Sequence, residues 1–94
     1  MGKVKRKRVT ISEMLIQWLL QQRNGQLIAS HDIQITARGF CYSWYGRTVT
    51  PATLDREWRR LRNQNPQELS ERGITLKDNG MKHGENTWIL NLSL

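Results

Sequence analysis

The stretch "TVTPATLDREWRRLRNQ" (Thr48–Gln64) decides how this chain is read. Thr50-Pro51 is a helix start. The threonine hydroxyl can accept a hydrogen bond from an N–H of the first turn, and a proline there lacks only a donor that has no helical partner anyway. Leu54, Trp58 and Leu61 follow at i, i+4 and i+7, a stripe about 60° wide that calls for burial. The opposite side carries Ala52, Arg56, Arg59, Arg60 and Asn63. Asp55 and Glu57 fall on its flanks, where they can pair with Arg59 and Arg60 for roughly 0.2–0.5 kcal/mol each. No acid interrupts the arginine side. The helix should fade by residues 63–65, ahead of Pro66.

All the basic residues of this segment are arginines. A guanidinium binds phosphate or the O6/N7 edge of guanine in a bidentate way; an ammonium acts more as a point charge. On a lone helix such a run is more often just a solvated face. Charge elsewhere in the chain shifts that balance. The net charge is +7 over 94 residues. Residues 1–10 carry +5, residues 11–46 sum to zero, residues 47–62 carry +3 and residues 63–94 sum to −1. Two positive blocks around a neutral body favour a polyanionic partner, nucleic acid before a membrane surface.

The length fits one small domain with one core. With glycine included, the apolar share is about 45%, ordinary for a folded chain. A single cysteine, Cys41, excludes a disulfide framework and a multi-thiolate metal site, and fits a reducing, intracellular compartment (cytoplasm or nucleoid, or a nucleus). No apolar run approaches the roughly 20 residues needed to span a bilayer, so no membrane partner is expected. His31 and His83 lack ligand spacing. No nucleophile motif, phosphate-binding glycine loop or close carboxylate pair occurs, so neither enzyme activity, metal nor cofactor is expected.

Working outward, residues 1–9 read as a flexible basic arm, with Lys5, Arg6, Lys7 and Arg8 able to follow phosphates. The same run would also suit a solubilising tail or a nuclear localisation signal. Thr10 and Glu13 fit a capping box, and Ile11, Met14, Leu15, Trp18 and Leu19 recur at helical spacing. A first helix is expected over 11–24, stopped by Asn24-Gly25. Residues 26–29 could be extended. Ser30-His31-Asp32 resembles a second helix start, whose end is open between Arg38 and Trp44. Residues 67–72 have room for one further turn, closed by Gly73. The tail then alternates as strands do, over 74–77 and 87–92, with residues 78–86 expected as a long loop. Trp18, Trp58 and Trp88 should meet in one core. Tyr42, Trp44 and Tyr45 beside Arg47 form either a packed loop or an exposed aromatic patch.

Three helices followed by a two-stranded hairpin resemble the winged helix-turn-helix family. The resemblance spans about residues 10–92 and rests on the element order, "TVTPATLDREWRRLR" and "GITLKDNGMKHGENTWIL". One departure is the link from the second helix to the third, long unless the second helix reaches Trp44. The resemblance implies an α+β winged-helix domain over 10–94, with a C-terminal β-hairpin wing and a third helix (about 51–63) that enters the major groove of DNA. Thr53 and Arg56, with the small Ala52, would then meet bases. Arg59, Arg60 and Asn63 would more often meet phosphate, with Lys82, His83 and the arm on the backbone and Arg47 a further DNA contact. The expected function is sequence-specific binding of double-stranded DNA, most simply in transcriptional regulation. Alternatives are a DNA-binding component of a replication or recombination assembly, a protein-interaction module, or RNA binding. A homodimer or larger assembly stays open.

Overall fold

The computed structural model describes residues 9–93; the basic run Lys5, Arg6, Lys7 and Arg8 lies outside the described residues. Among the described residues the chain is mixed α+β, with four helical stretches and a three-stranded antiparallel sheet. Helix α1 is Ile11–Leu20, strand β1 Leu27–Ala29, helix α2 Arg38–Tyr45, helix α3 Pro51–Asn63, helix α4 Pro66–Glu71, strand β2 Ile74–Lys82 and strand β3 Glu85–Leu92. A π-helical stretch, Asp32–Ala37, runs directly into α2.

Helix α1 starts as the sequence implies, with Thr10 Oγ1 accepting from Glu13 N at 3.1 Å. The Glu13 carboxylate does not reach back to close the capping box. It turns to the Arg72 guanidinium, at 2.8 and 3.1 Å, tying α1 to the end of α4. That hydrogen bond also holds the Glu13 pKa below its ordinary value. Helix α1 ends at Leu20, earlier than the expected residue 24. The cause is a distant strand. Gly25 N donates to Leu90 O at 2.6 Å, Leu90 N to Gln26 O at 2.9 Å and Leu92 N to Asn24 Oδ1 at 2.8 Å. The chain leaves the helix to join the sheet edge, where β1 pairs with β3 and Ile28 faces Trp88.

The second helical region extends to Tyr45, so the link to α3 is the five residues 46–50. Gly46 closes it in the left-handed conformation, φ 63°. Burial follows Ile33, Ala37 and Cys41 at intervals of four. Phe40 is half-buried and Trp44 is 63% exposed. A π turn is wider than an α turn, which shifts the inward face away from Trp44.

Strand order is β1-β3-β2. The expected long loop over 78–86 is instead mostly strand. Between Asp78 and Met81 the register slips by one residue. Gly80, at φ 75°, takes up the extra length as a bulge; its N–H donates to Asp78 Oδ1 at 2.7 Å and its carbonyl accepts from Thr87 Oγ1 at 2.9 Å. The ribbon then turns at His83-Gly84, with φ 54° and 80°. Two positive-φ residues make a tight turn whose twist suits an antiparallel pair.

The core joins α1, the π stretch, α3 and the inner face of the sheet. Leu54, Trp58 and Leu61 are fully buried, and Trp58 meets Trp88 edge-on at 5.2 Å between centroids. Trp18 belongs to the same cluster. Burying such rings is the largest stabilising contribution in a domain of this size. It fixes how α3 is rotated, and so which residues α3 turns outward.

Candidate nucleic-acid interface

Helix α3 is capped as its sequence implies: Thr50 Oγ1 accepts from Thr53 N at 3.2 Å, and Pro51 opens the helix. With the Leu54–Trp58–Leu61 stripe inward, Ala52, Arg56, Arg59 and Asn63 are exposed on the other side. Their spacing of three and four puts them in one row down the helix, about 60° wide. Arg56 makes no ion pair or hydrogen bond with the described residues. Its guanidinium is bare at the centre of the row. Arg59 pairs with Asp55 at 3.0 Å but stays 64% exposed, so its fork can turn to another anion at little cost.

Two residues expected on this face are already engaged. Thr53 is half-buried, and its hydroxyl oxygen accepts from Thr50 Oγ1 at 2.8 Å. Arg60 points toward α1: Nε donates to Glu57 Oε1 at 3.1 Å and another nitrogen donates to Ser12 Oγ. Ser12 Oγ in turn donates to Glu57 Oε1 at 3.0 Å. This closed triangle locks α3 to α1 and takes Arg60 out of the exposed row.

Arg47 also has a partner within the chain. Its guanidinium donates to Val9 O at 2.9 Å, which fixes the point where the described chain begins beside the link into α3. Arg38, which sequence reasoning passed over, donates through Nε to Val49 O at 3.1 Å. Arg38 and Arg47 flank a shallow groove of about 420 Å³ that also includes Ile35, Tyr42 and Thr48. Two cations thus stand beside the N-terminus of α3, whose own N–H groups favour an anion. Of the aromatic cluster, Tyr42 is 67% exposed, Trp44 stacks on Phe40 at 4.9 Å, and Tyr45 is half-buried.

Lys82 and His83 are both exposed at the hairpin tip. The hairpin is clamped beside its turn. His31 N donates to Glu85 Oε1 at 2.8 Å, and its Nδ1 lies 2.6 Å from Glu85 Oε2, with Asp32 Oδ1 3.3 Å from Nε2. The Glu85 hydrogen bond, with Asp32 nearby, raises the His31 pKa above its ordinary 6.5. The same contact lowers that of Glu85. The ribbon is therefore held at β1 along β3 and again at its outer end by His31.

Sequence reasoning also missed Arg62. It sits four residues after Trp58, a spacing that lets a guanidinium lie over an indole, and its carbon is 5.6 Å from the Trp58 ring centre and 4.4 Å from that of Trp88. Burial against the rings lowers its pKa below the usual guanidinium value.

No protein-family model matches the chain, and no curated protein or solved structure is significantly similar to it. Among the described residues no group of three or more His, Cys, Asp or Glu could hold a metal ion, and no helix is long and apolar enough to cross a membrane. The functional reading rests on the geometry of α3, its N-terminal link and the hairpin.

Proposed function

We propose that this chain is a winged-helix protein that binds double-stranded DNA in a sequence-specific way, with α3 in the major groove and the β2–β3 hairpin as the wing. The observation that carries the reading is the exposed row Ala52, Arg56, Arg59, Asn63, with the bare Arg56 at its centre. Arg56 lies in the second turn of α3, where a recognition helix meets base edges, and Ala52 is small enough for the groove floor to come close. Arg59 and Asn63 follow the same row toward the backbone. Arg38, Arg47 and the α3 N-terminus bind one phosphate stretch; Lys82 and His83 bind another. The basic residues 3–8 add sequence-independent attraction.

Transcriptional regulation is the role that fits a single domain reading one short site. A role as the DNA-binding component of a larger assembly is favoured by one feature of its own, the exposed Tyr42 and Trp44 on α2, which a solitary regulator has no need to present.

The deciding measurement is duplex affinity as a function of salt. Each neutralised phosphate contributes a slope of about −0.9 in log affinity against log salt, so four or more contacts give about −4 or steeper. A flat response, or no duplex binding at low salt, would sink the proposal. Selection from random duplexes then separates the two roles. A defined site of one turn or less supports the regulator; no enriched sequence supports a non-specific component. Single-stranded or duplex RNA winning the same competition would replace DNA as the partner.

A further inference from the structure

Between the C-terminal half of α3, helix α4 and strand β2 lies a cleft of about 480 Å³. That is within the size range of sites for small organic ligands. Its lining is mixed: Leu69, Ile74 and Trp88, which are buried, and the half-buried Leu76 supply an apolar part, and Asn63, Gln67, Ser70, Thr75 and Asp78 a polar one. One cation enters it, Arg62. The guanidinium carbon stands over the Trp88 ring, 4.4 Å from its centre, and 5.6 Å from that of Trp58, so the two indoles hold it in place. Nε is shut off from solvent and has no hydrogen-bond partner among the described residues. In contrast, Arg59, Arg60 and Arg72 each sit on a carboxylate. Asp78 is in the lining, on the strand side, yet forms no ion pair with Arg62. A guanidinium carries five N–H donors; those of Arg62 have no acceptor among the described residues, and the outer ones remain accessible to a ligand in the cleft that Arg62 lines.

We infer that this cleft binds a small carboxylic acid with an apolar body, its carboxylate on the outer N–H groups of Arg62 and its body against Leu69, Ile74, Leu76 and Trp88. A carboxylate matches the planar fork in a bidentate way. An apolar body uses the lining, which a hydrated inorganic anion would leave unfilled. A cationic ligand is disfavoured by Arg62 itself. The site needs no DNA and does not rest on the function proposed above, although Asn63 both lines the cleft and ends the exposed row of α3.

Benzoate is the probe, and its neutral isostere benzamide the control. Binding is followed by tryptophan fluorescence and by backbone amide shifts of the full chain without DNA. A ligand of this size in such a cleft is expected to saturate with Kd of about 1 mM, and benzamide at least about tenfold weaker. Arg62→Met keeps the stem that covers the indoles but removes the fork, and should weaken benzoate by about tenfold or more. Ser70→Trp, at an exposed lining position, should block the cleft without touching Arg62. Equal binding of benzoate and benzamide, amide shifts away from residues 62–76, or unchanged affinity in either folded variant would overturn the inference. So would no saturation by about 20 mM, since that leaves nothing above non-specific association.

Discussion

The outer and inner sides of α3 use the same residue type for different ends. Four arginines lie between residues 56 and 62. Arg56 has no partner among the described residues, Arg59 leans on an acid of its own helix, Arg60 closes a triangle with Glu57 and Ser12, and Arg62 lies over two indoles. An arginine is thus available to a partner only if nothing from another element reaches it first. Rotation about the helix sorts Arg56 and Arg59 outward; α1 and β3 claim the others. Two of the four hold the domain together, and two are exposed to meet a polyanion.

The largest effect should come from the inner side. Trp58 is fully buried and packs edge-on against Trp88. Trp58→Ala should cost about 3–5 kcal/mol by urea denaturation, a large share of the roughly 5–14 kcal/mol of a domain this size. It also removes a ring that carries Arg62, so the inner side should fail as a unit. A cost under about 1 kcal/mol would mean the rings do not set the rotation of α3, and the division of the arginines would lose its basis.

Arg56→Ala separates the sides in the opposite sense. Folding stability should stay within about 0.5 kcal/mol, as for an exposed side chain with no partner. Duplex binding should lose about 1–3 kcal/mol of discrimination at one base pair. Arg60→Ala should do the reverse: a loss of about 1 kcal/mol in folding, discounted for an arginine one-third exposed, with base preference unchanged. If Arg60→Ala alters base preference and Arg56→Ala does not, the assignment of the outer row is wrong.

Much of the outer side was legible because its determinants are local. Thr50, Pro51 and the Leu54–Trp58–Leu61 spacing fix where α3 starts and how it is turned, all within one segment. The i+4 and i+3 partners of Arg59 and Arg60 were legible for the same reason. What the sequence concealed depends on other elements. Ser12 reaches Arg60 from α1, and Trp88 reaches Arg62 from β3. Gly25 and Asn24 end α1 early because β3 offers them partners. The hairpin looked like a long loop because its polar residues alternate weakly. One residue of bulge at Asn79-Gly80 also breaks the period, and the turn uses a non-glycine residue, His83, at positive φ. The two readings of Trp44 stayed open for a similar reason: a period of 3.6 from Ile33 and Ala37 would turn it inward, and the π stretch, invisible in the sequence, leaves it exposed.

The smallest effect tests the boundary between the sides. Asp55 stands on the flank of the outer row and holds Arg59 at 3.0 Å. If that pair only parks the guanidinium, its removal should barely change folding, within about 0.5 kcal/mol for an exposed i,i+4 pair. Asp55→Asn keeps the shape and removes the charge. It both frees Arg59 and takes an anion away from an approaching phosphate, so duplex affinity at low salt should rise, by about two- to threefold, and the salt slope should steepen. The gain should fade at high salt, where both terms are screened. Arg59→Ala in the same background should abolish the gain. A gain that survives without Arg59 would assign the effect to net charge alone, and the outer row would then shrink to Arg56 and Asn63 as its polar members.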